Sequence, residues 1–215
     1  MLFNEKFLFP LLLIIASGNV LSCTNNEAAS KPSSPAQKIK QVQANPYINA
    51  DQSPLDISYF PIDYPVKKMN NPALSLPVAR VIYSRPHKNN RVIFSKNSTA
   101  LCVYGKPWRL GANEATEITF FKNVIINGNN IAAGTYTLYC VPESDKWTIV
   151  FNSNLNTWGL HMEESMDLFK IEIPVMEQSP AVEDFTMLFE DAADGANLIM
   201  AWDIVKTKLP IYFPK

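Results

Sequence analysis

The chain has 215 residues and a formal net charge of −1, with 18% charged and 11% aromatic residues. No lysine or arginine stripe accompanies that balance, which argues against an electrostatic footprint for nucleic acid. Sixteen prolines against seven glycines, with the aromatic content, favour a well-packed β-rich body over long helices or disorder.

The N-terminus carries an address. Phe7 to Ala16 is an apolar stretch following Lys6, about the length of a signal-peptide core and too short to span a bilayer. Small residues follow at Ser17 and Gly18, and the run Val20-Leu21-Ser22-Cys23 puts a cysteine where cleavage is expected. The pattern resembles a bacterial lipoprotein signal, an ordinary secretory signal with a nearby cysteine being the alternative. The resemblance implies removal of residues 1–22 and acylation of Cys23, with lipid chains holding the protein to a membrane. One acyl chain is marginal and two or more are stable, at about 0.8 kcal/mol per buried methylene. The expected location is the bacterial cell envelope, at the outer membrane, with the periplasmic or surface face left open.

Residues 23–50 read as a lipid-anchored flexible tether. They are rich in Ser, Pro, Ala, Asn, Gln and Lys, and bury too little apolar surface to offset their ordering entropy. A short helix around Gln37 to Gln43 is compatible with the sequence. Residues 51–215 then form one domain, of a size that supports a substantial core.

Within that domain the pattern is short and alternating. Val78 to Tyr83 is strand-like and stops at Arg85-Pro86, and Arg91 to Phe94 is a shorter run. Thr116 to Phe121 sets Ile118 and Phe120 against Glu117 and Thr119. Val124 to Ile126 meets Asn127-Gly128, a dipeptide suited to the positive φ values of a type I′ turn. Thr135 to Val141 follows, and then Trp147, Ile149 and Phe151 on one face. Phe169, Ile171, Ile173 and Val175 alternate with Leu168, Lys170 and Glu172, a clear period of two. Phe185, Met187 and Phe189 continue it, and Leu198, Met200, Trp202 and Ile204 close the series. Only His161 to Leu168 looks briefly helical. The expectation is all-β: a single antiparallel β-sandwich or flattened barrel of about nine or ten strands. Cys102 and Cys140 either pair in an oxidising compartment or sit as two small buried residues.

The stretches Ala79 to Pro86, Arg91 to Phe94, Tyr104 to Phe120 and Gly134 to Leu138 together resemble the domain of unknown function 2911 family, common in Bacteroidota. Ser53 to Asp56, Tyr64-Pro65 and Ala201-Trp202-Asp203 fit the same pattern. Two positions depart from it: Asn90 stands where a glycine is expected, and Cys102 where no cysteine is. The resemblance implies a class of protein and no activity. Some relatives carry an asparagine-synthetase label, which this sequence does not support: it has neither a nucleotide-binding glycine loop nor an N-terminal catalytic cysteine.

The polar group most suited to a ligand is Trp108, Arg109, Asn113 and Glu114, around the small-residue turn Gly111-Ala112. A guanidinium fork, an amide, a carboxylate and an indole face together suit a polar or anionic small molecule. Arg85 and Arg91 join them if their strand neighbours the Thr116 strand. The plainer reading is an Arg109–Glu114 brace with Trp108 capping the core. Trp147 and Trp202 read as core, and Trp158 as partly exposed in a loop.

Catalysis is less well supported. His87 and His161 lie in no metal-binding pattern, and His161 with Glu163 and Glu164 reads more readily as a solvated loop than as an ion site. Ser84 lacks a nucleophile elbow. Asp56, Glu114, Glu117 and Asp203 would have to pair in space for glycosidic chemistry. The expectation is therefore a non-catalytic binding or structural module, with no cofactor or metal. A hydrolase acting on envelope or dietary glycans through paired carboxylates is the alternative. A module that offers a strand edge to an envelope protein is the third reading.

Overall fold

The computed structural model describes residues 53–214. The signal segment, Cys23 and the tether with its short helix lie outside them. Strands β1 (Leu55–Phe60), β2 (Ala79–Ser84), β5 (Thr116–Phe120), β6 (Val124–Ile126), β7 (Asn129–Ile131), β8 (Gly134–Pro142), β9 (Lys146–Asn152), β10 (Asp167–Ala192) and β11 (Gly195–Tyr212) form one sheet. Its order is β1-β2-β5-β8-β9-β10-β11-β6-β7, every neighbouring pair is antiparallel, and it does not close into a barrel. Strands β3 (Phe94–Ser95) and β4 (Cys102–Val103) form a small parallel pair apart from it.

The sheet folds over on itself at β10. The first part of this 26-residue strand, up to Pro174, pairs with β9, and the part from Val175 onward pairs with β11. Two layers result, with one apolar core between them. Tyr83 of β2 meets Phe185 of β10 edge-on at 5.6 Å, and Phe60 of β1 meets Phe189 at 6.2 Å. The alternation read from the sequence holds across both layers: Ile118, Phe120, Trp147, Ile149, Phe151, Ile171, Ile173, Phe185, Met187 and Phe189 are all buried. The β6–β7 turn has positive φ at Asn127 (48°) and Gly128 (76°), as a type I′ hairpin requires.

Ile204 departs from the alternation. It is exposed, although Leu198, Met200 and Trp202 before it are buried. Asp203 adopts a left-handed backbone with φ 55°, and the pairing with β10 shifts register at its partner Val182. A bulge of this kind flips every later side chain to the other face, so Thr207, Leu209 and Ile211 are the buried residues beyond it.

A second stitch joins the layers where the chain leaves β2. Lys88 donates its backbone N–H to Glu183 at 2.8 Å, and Phe185 donates to Pro86 at 3.0 Å. The turn that follows carries Asn89 and Asn90 at φ 49° and 56°. Asparagine is among the few residues other than glycine that adopt this conformation readily.

A short helix, α1 (Tyr64–Asn70), lies between β1 and β2 and was not anticipated. Its Tyr64 is buried and donates its hydroxyl to the Ser75 carbonyl at 2.9 Å. The segment expected to be briefly helical holds a single 3-10 turn, Glu164–Met166. Cys102 and Cys140 are buried free thiols. Desolvation pushes both thiols up, nearby Cys102 adds to the rise at Cys140, and Arg91 partly offsets it at Cys102. Among the described residues no helix is long and apolar enough to cross a membrane.

Candidate functional site

The loop between β4 and β5 builds one wall of a cavity. Trp108 and Cys140 exchange backbone hydrogen bonds at 2.7 and 2.8 Å, and Gly105 donates to Pro142 at 2.9 Å. The loop thereby takes over the edge of β8 beyond the end of β5. It then doubles back through Leu110 (φ 54°) and Asn113 (φ 56°). A left-handed leucine costs on the order of 1–3 kcal/mol. Complete burial of its side chain and a 2.6 Å bond from the Thr116 hydroxyl to its carbonyl hold it there. Gly111 passes so close to β2 that a Cβ would sit 2.7 Å from the Ser84 carbonyl oxygen.

The loop after β9 packs against the β4–β5 loop and adds Gly159 and Leu160 to the cavity lining. Thr137 donates to the Asn154 carbonyl at 2.6 Å, Ala115 N–H to Thr157 at 3.0 Å, and Asn156 N–H to the Glu117 carboxylate at 3.0 Å. At its far end Asp167 is the fastening point. Its carboxylate accepts the Tyr139 hydroxyl at 2.8 Å, Asn152 Nδ2 at 2.8 Å and the Lys170 ammonium at 3.0 Å. Desolvation alone would raise this carboxyl, but the Asn152, Lys170 and Tyr139 contacts outweigh it and hold it below its ordinary value. Burial and the same carboxylate push the Tyr139 hydroxyl well up.

These two loops and the turn after β2 line a cavity of about 660 Å³. Arg91, Arg109, His87 and Asn89 supply its polar lining, and Leu101, Leu160, Pro86 and Pro107 its apolar lining. No carboxylate is among the lining residues. Arg91 is steadied by Nε donating to the Lys88 carbonyl at 3.0 Å and by a second bond to the His87 carbonyl. His87 Nδ1 pairs with Asp184 across the stitch to β10. Arg109 Nη1 donates to the Trp158 carbonyl at 2.9 Å, and its guanidinium lies over the Trp158 ring at 5.6 Å. A room of this size with convergent donors and apolar walls is suited to a small anion that has an apolar part.

Of the five residues the sequence singled out, the cavity takes two. Arg109 contributes its guanidinium. Trp108 contributes a wall, but its ring is not a stacking platform: it is only 9% exposed. It packs against Phe185 at 4.9 Å, Trp202 at 5.7 Å and Trp147 at 5.8 Å, with Nε1 donating to Gly111 at 3.3 Å. The exposed indole is Trp158. Arg85 turns toward Asp56, 3.5 Å away, and Asn113 does not line the cavity. Glu114 is exposed and shares a separate recess of about 90 Å³ with Glu117, room for about three waters. The expected Arg109–Glu114 brace is replaced by one between Arg109 and Trp158.

β2 does pair with β5, which is the condition that brings Arg91 to the site. His87, Asn89 and Leu160 were missed. The first two lie beyond the end of β2, and only the stitch to β10 turns them inward. Of the carboxylates considered for glycosidic work, Glu114 and Glu117 share the small recess, while Asp56 faces Arg85 and Tyr83, and Asp203 pairs with Lys88. Among the described residues no group of three acidic, histidine or cysteine side chains is arranged to hold a metal.

Residues 66–211 match the family of proteins of unknown function designated DUF2911, and the chain belongs to that family. Neither a curated protein nor a solved structure matches it.

Proposed function

We propose that this DUF2911 chain is a lipid-anchored protein of the bacterial cell envelope whose β-sandwich binds a small anionic ligand. Cys23 is the site of acylation, and the outer membrane is the expected location. The observation that carries the ligand reading is the lining of the 660 Å³ cavity: Arg91, Arg109 and His87 share it with no carboxylate. Two guanidiniums in a recess favour a carboxylate or phosphate through charge-assisted, bidentate bonds. Leu101 and Leu160 add apolar walls, so the ligand is expected to carry a hydrocarbon part beside its charge. The role is recognition. The paired carboxylates needed for glycan hydrolysis have no counterpart across this cavity.

Two measurements test the proposal. Calorimetric titration of the purified protein with carboxylates and phosphates of graded apolar size should find a binder that Arg91→Ala weakens at least tenfold. Equal behaviour of wild type and Arg91→Ala across the whole panel would overturn the ligand reading. Intact-mass measurement of protein from the membrane fraction should find a chain beginning at an acylated Cys23. An unmodified thiol on the processed terminus would overturn the anchor.

A further inference from the structure

We infer that the outer face of β1, together with α1, is a surface that rests on an anionic phospholipid bilayer. β1 is the edge strand of the large sheet. Leu55 and Ile57 alternate on its outward face, each more than half exposed. Tyr59, next on that face, stacks on the buried Tyr64 of α1 with ring centroids 5.9 Å apart, which packs the helix against the end of the strand. On the helix Val66 and Met69 stand one turn apart, and Leu76 follows in the loop behind it; all three are more than half exposed. Single exposed apolar side chains are ordinary, but a contiguous run of large ones marks an interaction surface.

Charge decides what covers it. Lys67 and Lys68 occupy the last turn of α1, Lys122 lines the apolar groove beside the helix, and Arg80 stands opposite Tyr59 on β2. The acids are Asp63 at the helix start, and Glu114 and Glu117 in the recess beside Leu55, where Glu117 is engaged by the Asn156 N–H; the cations gather at the α1 end of the face. Lysine and arginine fringing exposed leucine, isoleucine and methionine is the composition of an interfacial surface attracted to anionic headgroups. The position of the anchor adds to this. Residues 24–52 separate Cys23 from the described chain, which enters directly at β1. A segment of that length spans at most about 100 Å, so an acylated Cys23 tethers the chain to the lipid through the end at which β1 begins. The inference rests on the anchor reading for delivery, and on the surface itself for contact.

The full acylated chain, reconstituted in vesicles of phosphatidylethanolamine and phosphatidylglycerol or of phosphatidylcholine alone, provides the test. Amide hydrogen exchange within residues 55–76 should slow at least fivefold in the anionic vesicles relative to the zwitterionic ones. Residues 195–212 should not change. The double variant Ile57→Glu, Met69→Glu, whose substitutions are exposed and whose folding is checked by its melting temperature, should lose the protection while still floating with the vesicles. A chain that floats without protection of residues 55–76 overturns the docking surface and leaves the anchor standing. A chain that does not float overturns both. Protection that appears in detergent and rises with protein concentration overturns it in favour of a second copy of the chain.

Discussion

Arg109 and Trp158, 49 positions apart, are joined twice: by a 2.9 Å hydrogen bond from the guanidinium to the backbone carbonyl, and by the guanidinium lying 5.6 Å from the ring centre. The arginine lines the cavity, and so do the residues after Trp158, Gly159 and Leu160. On the proposed function, one side chain both braces the loops and meets the ligand.

Arg109→Ala is therefore expected to lower both stability and affinity. An exposed cation–π contact and one hydrogen bond are together worth about 1–2 kcal/mol, a fall in melting temperature of roughly 2–8 °C for a domain of this size. Arg91→Ala, whose bonds run only to neighbouring carbonyls in an exposed turn, should leave the melting temperature within about 2 °C and weaken ligand alone. Thermal melts paired with titrations of both variants distinguish the two roles.

The two tryptophans near the site should behave oppositely. Trp108→Ala removes a buried ring from an aromatic cluster and is expected to cost about 3–5 kcal/mol, measured as a large loss in denaturant midpoint. Trp158→Ala, with its ring half-exposed, should cost less than about 1.5 kcal/mol. Comparable losses from the two substitutions would contradict the burial described here.

Gly159→Ala tests the seam between the two loops. The residue has φ +72°, and a Cβ would lie 2.9 Å from the Ala115 Cβ and 3.1 Å from the Arg109 Cβ. Left-handed strain and the contact together should cost about 1–3 kcal/mol and displace Leu160 from the cavity wall. The expected readout is a lower melting temperature with a ligand affinity reduced more than in Trp158→Ala.

Asp167 gives the fold an acid-sensitive element of definite sign. Its carboxyl is held below the ordinary 3.8, so its contribution is complete above that value and is lost as pH falls through the lower folded value. Wild type should lose stability steeply below about pH 4, with the loop after β9 becoming protease-sensitive first. Asp167→Asn should be less stable at neutral pH by about 1–3 kcal/mol, because Lys170 and the Tyr139 hydroxyl lose an ionised partner. It should also show a shallower dependence between pH 2 and pH 4. Denaturant midpoints measured across that range provide the check.

The layers were legible because burial imposes a period of two that composition cannot hide: Phe169 to Val175 and Trp147 to Phe151 read directly as core-facing runs. The helix at Tyr64–Asn70 was not legible. Seven residues with two outward apolar side chains carry no amphipathic signature, and tertiary contacts of Tyr64 hold it. Ile204 misled the reading because one left-handed residue, Asp203, inverts the phase, and nothing local in Trp202-Asp203-Ile204 announces a bulge. At the site, Arg109 was visible as a guanidinium beside a tight glycine turn. Trp108 was visible too, with two readings: the structure sets aside the stacking platform and agrees with the core cap, because the opposing layer, with Phe185 and Trp202, lies over the ring. His87 and Asn89 depend on a pairing between residues nearly a hundred positions apart, which no local pattern encodes.

The 26-residue strand shared by both layers has a mechanical corollary. Neither leaf possesses its own complete set of ladders, since detaching one strips a flank from the strand on which the other is zipped. Melting should accordingly run as a single calorimetric event rather than two. A nick near Pro174, at the fold line, should release the whole assembly at once where an equal cut in a surface turn would be tolerated.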